Sequence, residues 1–227
     1  MAALGRTVLG RTVGRKRAGR PPGPSAADAT RQHILEAAAD VFADQGYYGA
    51  AVDDIVRASD TSKGSFYFHF PNKRGLFTAL LDHLTGRLLE RVEAAMAGQP
   101  DPMRRLDAAL AAALAAFAQR RRLARLLLVE GAGLGHALDA RLMAVHERFI
   151  ALIRRHLDEA VRAGLIPPQD TALAACAWMG ALNEVVIRWL YTGEPEPLEG
   201  ALPGLRTLLL RSVGFEAMDS GGPAGTA

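Results

Sequence analysis

The residues whose types and spacing could do chemistry are concentrated in one short stretch, from Ser62 to Lys73. It carries hydroxyl, ammonium, imidazole and phenol groups, all of which can bond to base edges or to phosphate oxygens. Ser62 is placed to cap a short helix that runs to about His69. Phe66 and Phe70 are four residues apart and are predicted to face inward. The polar side chains between them must then face outward, where they can contact DNA.

Two further helices must position this one. Ser25 and Asp28 form a predicted capping box, and apolar residues follow at helical spacing until Gly46 ends the first helix. A second short helix fits residues 52–59, with two aspartates in its first turn, where the helix dipole favours anions. Beyond the third helix, Lys73 opens a fourth, whose N-terminal amides and ammonium group suit a phosphate.

The segment from Thr30 to Leu84 resembles the DNA-binding domain of the TetR family of bacterial transcriptional regulators. The most specific run is Ser62-Lys63-Gly64-Ser65-Phe66-Tyr67-Phe68-His69-Phe70-Pro71-Asn72-Lys73. The resemblance implies a three-helix head with a helix-turn-helix, whose third helix enters the major groove. The residues assigned to DNA binding in this segment are Ser62, Lys63, Gly64, Ser65, Tyr67, Phe68, His69 and Lys73.

Three departures from the family pattern accompany this match. Ala50 and Ala51 stand where members often have Thr or Ser, so the second helix is predicted to lack a side-chain cap. Asp60 stands where Gly is usual, and Asp tolerates the left-handed conformation better than most residues. Thr61 replaces a common apolar residue. These changes are expected to shift affinity or the preferred DNA sequence.

Residues 1–24 form a basic arm that is predicted to be disordered, since it has little apolar surface to offset the entropy of ordering. Two interpretations are open for it: a solubilising tail or misassigned start, and a DNA-contacting arm. The stretch Ala18-Gly19-Arg20-Pro21 is similar to the Arg-Gly-Arg-Pro core of minor-groove hooks, with Ala in place of the first Arg. Arg17 and Arg20 are the candidate contacts, and such contacts would make affinity salt-dependent.

Composition predicts an all-α protein: the 227 residues are 49% hydrophobic and 22% charged, and Ala and Leu outnumber β-branched residues. Cys176 is the only cysteine, which suits a reducing cytoplasm; we expect it to be buried. The longest apolar runs span 11 residues, too short to indicate a membrane span, and the N-terminus lacks a secretory signal.

Amphipathic segments and Gly/Pro breaks predict a larger helical domain after the head. Helices are expected near 73–97, 102–119, 121–131, 138–163, 171–192 and 204–214. The predicted organisation is the arm at 1–24, the helix-turn-helix domain at 25–72, an effector-binding and dimerisation domain at 73–215 and a disordered tail at 216–227.

The segment from about Thr171 is apolar around most of its circumference, so it should be buried on two sides. A family-like arrangement would use this helix and the final one, with Leu205, Leu208, Leu209 and Val213, to build a four-helix interface between two copies. A homodimer would also match a pseudo-palindromic operator. The alternative is that these two helices belong to the core of one chain.

A cavity among the middle helices is predicted to bind a small apolar effector. Its candidate residues, with few charges among them, are Phe117, Met143, Phe149, Trp178 and Asn183. The stretch from Gly180 to Trp189 is similar to some regulators of fatty-acid or acyl-CoA metabolism in the family, so an acyl-type ligand and a drug-like hydrophobe both stay open. The resemblance implies a repressor of double-stranded DNA operators that the effector releases.

Enzymatic signatures are missing from the sequence, including the nucleophile elbow, phosphate loop, dinucleotide fingerprint and zinc-protease motif. No catalytic residue, metal site or cofactor is therefore assigned. The histidines at 136, 146 and 156 lack a spacing that favours a metal. The remaining alternative is a constitutive or architectural DNA-binding dimer without an effector.

Overall fold

The computed structural model describes residues 25–131 and 135–215, and every regular element in those ranges is helical. The head comprises α1 (Ala26–Gly49), α2 (Val52–Ala58) and α3 (Lys63–His69), and the first turns of the following helix pack against it. The larger part comprises α4 (Lys73–Met96), α5 (Pro102–Gln119), α6 (Arg121–Arg125), a π-helical turn (Leu126–Glu130), α7 (His136–Arg162), α8 (Thr171–Thr192), a 3₁₀ turn (Leu198–Ala201) and α9 (Leu202–Ser212). The predicted all-α class is confirmed. The arm and the tail, with Arg17 and Arg20, lie outside the described residues.

Local capping explains where most of these helices begin. The predicted capping box at α1 is present: the Ser25 hydroxyl accepts from the Asp28 amide, and the Asp28 carboxylate accepts from the Ser25 amide. A hydrogen bond that the Ser25 hydroxyl donates to the Asp28 carboxylate, together with the one from the Ser25 amide, lowers the pKa of Asp28. Asn72 caps α4, and Asp170 caps α8. Each cap satisfies an amide that the first turn of a helix leaves unpaired.

The helix α1 is interrupted at Gly46, the residue at which we expect it to end. Gly46 has a φ of 70°, so the chain turns there before a last short turn reaches Gly49. A side chain at this φ would be strained, which accounts for the glycine.

One apolar core joins the head to the larger part. Phe42, Ile55 and Phe66 are completely buried in it, so all three head helices contribute. Leu123 of α6 and Leu126 of the π-helical turn belong to the same cluster. The turn therefore packs directly beneath the head.

The apolar helix α8 is buried along one side in the single chain. Trp178 and Trp189 are buried within the chain. The opposite face is exposed and carries Leu173 and Tyr191. By length and apolar composition alone α8 would suffice to cross a membrane, with 28% of its apolar window buried; core helices of soluble proteins meet the same criterion.

Candidate DNA interface and effector cavity

The helix α3 presents its polar side chains outward for two local reasons. The Ser62 hydroxyl accepts a hydrogen bond of 3.0 Å from the Ser65 amide and fixes the first turn. Phe66 and Phe70 are buried in the head core, as predicted, so α3 cannot rotate without exposing both rings. Tyr67 is exposed over 54% of its surface. This outer surface, which we call the α3 face, comprises Ser62, Lys63, Gly64, Ser65, Tyr67, Phe68 and His69.

Phe68 of the α3 face is 79% exposed. Its ring lies edge-on to the His69 imidazole, with 5.0 Å between the ring centres. An aromatic ring with this exposure can make apolar contact with a thymine methyl group or a sugar. The structure thus brings all the α3 candidates to one surface, and their DNA contacts stay predictions.

Lys63 is held by a partner that the sequence analysis did not identify. Its ammonium group lies 2.9 Å from the Asp53 carboxylate of α2. The hydrogen bond to Asp53 raises the pKa of Lys63. Both side chains are largely exposed, so this ion pair competes directly with any phosphate for Lys63.

Lys73 occupies a different environment from the α3 face. Its ammonium group donates to the carbonyl oxygens of Tyr47, at 2.8 Å, and Ala50, at 2.9 Å. Two of its three donors are therefore used inside the head. Only one donor of Lys73 is left for a phosphate. At the α4 N-terminus, the Asn72 side chain already accepts a hydrogen bond from the Gly75 amide. Phosphate binding by Lys73 stays a prediction.

Tyr48 is a second exposed phenol that the sequence analysis missed. It is 81% exposed, and its ring lies edge-on to Tyr47 at 5.4 Å. Burial raises the pKa of Tyr47, which is the inward member of this pair. An aromatic pair immediately after the helix-ending Gly46 was the available signal, because only one of two adjacent rings can face the core.

The three departures are accommodated locally. Asp60 is the only non-glycine residue with a positive φ among the described residues, at 46°, as its place in the turn predicts. Ala51 supplies no side-chain cap, as expected, but the Asp54 carboxylate accepts from its amide at 3.3 Å. The Thr61 hydroxyl pairs with that of the buried Ser59 at 2.9 Å.

A partly enclosed cavity of about 190 Å³ lies between α4, α5, α7 and α8, with the π-helical turn closing one side. Phe117, Phe149 and Asn183 line it, so the structure brings three of the five candidate ligand residues together. Asn183 is partly buried and makes no hydrogen bond with any residue that the structure describes, which leaves its amide available to a ligand.

Two candidate ligand residues, Met143 and Trp178, do not line this cavity. Met143 is 61% exposed because α7 turns that side chain to solvent. Trp178 is buried in the α5–α7–α8–α9 core, where its Nε1 donates to the Ser212 hydroxyl at 3.1 Å. Helical spacing alone could not separate the cavity side of α8 from the α9 side, since both are apolar. Cys176, expected to be buried, is exposed on α8.

The cavity wall is also more polar than predicted. Four basic side chains line it: Arg87, Arg91, Arg120 and His146. Spacing gave no reason to group them, because they come from three different segments of the chain. No cluster of three potential metal ligands occurs among the described residues.

Two family models match the chain. The model of bacterial regulatory proteins of the tetR family matches residues 34–80. The model of the tetracyclin repressor-like C-terminal domain matches residues 99–194. The chain belongs to the TetR family. Together the two matches cover the head and most of the larger part, so the helix-turn-helix and the helical regulatory domain both follow from family membership as well as from the fold.

Two regulators from other bacteria are similar to this chain along most of its length. The HTH-type transcriptional repressor DhaR of Mycobacterium sp. (strain GP1) is 28% identical over 190 residues, 81% of this chain and 93% of that protein. The fatty acid metabolism regulator protein of Bacillus subtilis (strain 168) is 22% identical over 181 residues, 79% of this chain and 93% of that protein. One of these relatives is a transcriptional repressor and the other a regulator of fatty acid metabolism.

Solved structures share the fold. The fatty acid degradation regulator FadR from Bacillus halodurans superposes with a TM-score of 0.75 at 24% identity, over 87% of this chain and all of that one. FadR from Bacillus subtilis, solved in complex with stearoyl-CoA, gives a TM-score of 0.73 at 21% identity, over 82% of this chain and 99% of that one. At these identities the likeness establishes the helical architecture.

Proposed function

We propose that this chain is a homodimeric, ligand-responsive repressor that acts in the cytoplasm and leaves its DNA operator when a small amphiphile or hydrophobe enters the cavity. The observation that carries the proposal is that one helix serves both sites. Leu76 and Leu80 of α4 are completely buried in the head core, whereas Leu84 and Leu88 of the same helix line the cavity.

The α3 face supports the DNA-binding half of the proposal. It combines hydroxyl, phenol and imidazole donors with Gly64, where the backbone can approach a base closely. A Cβ atom at Gly64 would lie 3.7 Å from the Ser62 hydroxyl and touch nothing else within 4 Å, so the fold itself does not demand glycine there. Close approach to DNA is the remaining reason for it.

The domain division follows from the shared helix. We assign residues 25–72 to the DNA-binding domain and 73–215 to the effector and dimerisation domain. The second domain begins with α4 at Lys73, and the first turns of α4 pack against the head. The π-helical turn makes a second link. Leu126 is buried in the head core, and Leu127 and Leu128 line the cavity. A ligand that displaces this turn changes the packing under α1 and thereby the position of α3.

The exposed face of α8 supports the dimer. Leu173 is 67% exposed, and Leu208 on the neighbouring α9 is also exposed. A Cβ atom added at Gly180 would have no neighbour within 4 Å. Large apolar side chains beside small residues are suited to close packing of helices against a second copy. A dimer presents two α3 faces to two half-sites.

Acyl-type ligands are the effector class that we favour. A FadR protein with the same architecture holds stearoyl-CoA, and the cavity here is walled mainly by leucine and aromatic side chains. Its volume of about 190 Å³ lies below the roughly 300–1,000 Å³ of pockets for drug-sized ligands. A long ligand would therefore have to move the helices, as the repressor mechanism requires.

Selection from a pool of random duplexes with the full chain tests the DNA-binding claim. We expect enrichment of a pseudo-palindrome whose half-sites are about 34 Å apart or a multiple of that distance. Gly64→Glu, which places a carboxylate on the α3 face with room for its Cβ, should abolish enrichment. Gly86→Glu is the matched control, because an added Cβ there meets nothing within 4 Å and Gly86 lies outside the α3 face. Absence of any enriched sequence with the wild type would refute the proposal.

A further inference from the structure

The cavity has an uneven distribution of charge along its wall. Three arginines line it, and none of the lining residues among the described parts of the chain is Asp or Glu. Most of the other lining residues are apolar, and the polar exceptions are Thr85, His146 and Asn183. An uncharged hydrophobe would use only the apolar part of this wall.

The three arginines come from two neighbouring segments of the cavity wall. Arg87 and Arg91 are four residues apart on α4 and therefore share a face. The Nη2 of Arg91 donates to the Gln119 side chain at 2.9 Å, which brings α4 against the end of α5. Arg120 is the next residue along the chain and also lines the cavity.

The charges of Arg87 and Arg120 are not neutralised by an acidic partner among the described residues. Neither Arg87 nor Arg120 forms an ion pair or a side-chain hydrogen bond with any residue that the structure describes. All three are exposed to solvent at the cavity mouth, while Leu81, Ala113 and Leu123 line it from buried positions. A positively charged mouth above an apolar interior is complementary to a chain with an anionic end.

We propose that the effector is an anionic amphiphile, with its apolar chain in the cavity and its negative group bound by Arg87, Arg91 and Arg120. This inference rests on the proposed function and specifies the effector class. The negative group can be a carboxylate or the phosphates of a coenzyme A thioester, since guanidinium groups bind both. An engineered cavity of about 150 Å³ holds benzene, so a volume of about 190 Å³ suits a short to medium chain.

Calorimetric titration of the full chain with matched probes tests this directly. The probes are hexanoate, octanoate and decanoate, their coenzyme A thioesters, and the corresponding alcohols. At low salt we expect at least one anionic series to bind about tenfold more tightly than the alcohol of equal length, which corresponds to about 1.4 kcal/mol. Whichever anionic series binds more tightly identifies the carboxylate or the thioester as the source of the charge.

Variants separate the arginines from the rest of the cavity. Arg87→Gln combined with Arg120→Gln removes two guanidinium groups that have no described partner, so folding should be unaffected. The double variant should lose the preference for the anion and keep its affinity for the alcohol. Arg155→Gln is the control, because Arg155 is exposed on α7 and does not line the cavity.

The proposal is overturned if an alcohol binds as tightly as both anions, if the double variant keeps the anion preference, or if no probe binds. The same preparations are assayed for binding to the selected duplex. Absence of an anion preference in the wild type, with intact DNA binding, would remove this inference alone, whereas failure of the wild type to bind DNA would remove the proposed function and leave the calorimetric result standing.

Discussion

The ammonium group of Lys73 lies 4.7 Å from the centre of the Tyr47 ring and donates a hydrogen bond of 2.8 Å to the carbonyl oxygen of the same residue. This contact ties the start of α4 to the end of α1. Because α4 runs from here to the cavity, Lys73 fixes the head on the helix that carries the effector signal.

Lys73→Met should destabilise the protein and leave the electrostatics of DNA binding unchanged. The variant loses two charge-assisted hydrogen bonds and a cation–π contact, a cost of about 2 kcal/mol. Urea unfolding at fixed protein concentration measures the loss. Unchanged stability, together with a salt slope of DNA binding lower by about one, would instead identify Lys73 as a phosphate contact.

Tyr67→Phe should weaken DNA binding without affecting the fold. The phenol is exposed and has no hydrogen-bond partner among the described residues, so its hydroxyl is free to donate to DNA. Loss of one such bond is worth about 1 kcal/mol, or roughly fivefold in affinity. Fluorescence anisotropy on the selected duplex measures the change. Tyr191→Phe, an equally exposed phenol on α8, is the control, and an equal effect of both variants would contradict the assignment.

Asp53→Asn should strengthen DNA binding. The substitution removes a negative charge beside the α3 face and releases Lys63 from its 2.9 Å ion pair. Affinity should rise at low salt, and the salt slope should steepen by about one as Lys63 gains a phosphate. Glu93→Gln removes an acid far from the α3 face and should change neither quantity. A weaker complex for Asp53→Asn would show that the ion pair orients Lys63 for its DNA contact.

Leu173→Glu combined with Leu208→Glu should dissociate the dimer. Both side chains are exposed and apolar in the single chain, and the charges would have to be buried between two copies at α8 and α9. Sedimentation velocity at micromolar concentration measures the change. Met143→Glu places the same charge at an equally exposed apolar residue of α7 and should leave the dimer intact. Dissociation by the α7 variant alone would move the interface to α7.

Protonation of His83 should destabilise the fold below about pH 6.5. Burial lowers the pKa of His83 below the ordinary histidine value of 6.5, and the neighbouring Arg87 charge acts in the same direction. The Nε2 atom also lies 3.2 Å from the Gln32 amide nitrogen, which can donate to it when His83 is neutral. The unfolded chain therefore binds this proton more readily, and its contribution to stability, present above pH 6.5, is lost as the pH falls towards the folded pKa.

Urea unfolding of the wild type and of His83→Gln at pH 5.5 and 7.5 isolates this contribution, since the other histidines titrate in both proteins. The wild type should lose more stability between the two pH values. An identical loss in both would show that His83 protonates equally well in the folded chain.

Sequence patterns predicted the features that depend on local chemistry. Ser25 and Ser62 cap helices because their hydroxyls reach amides three residues on, and Asp60 takes the left-handed conformation because the turn requires it. Contacts between distant segments were beyond such reasoning. The Asp53–Lys63 pair and the arginines of the cavity depend on how helices pack, and Trp178 could face either of two apolar neighbours.

The most direct test of the account is the affinity of the wild-type dimer for its selected duplex and for a scrambled duplex of equal length, measured across a range of salt concentrations. We predict affinity that falls steeply with salt on both, and at least about 10³-fold tighter binding to the selected duplex near physiological salt. Equal affinity for the two duplexes at every salt concentration would contradict sequence-specific regulation and leave only non-specific DNA binding.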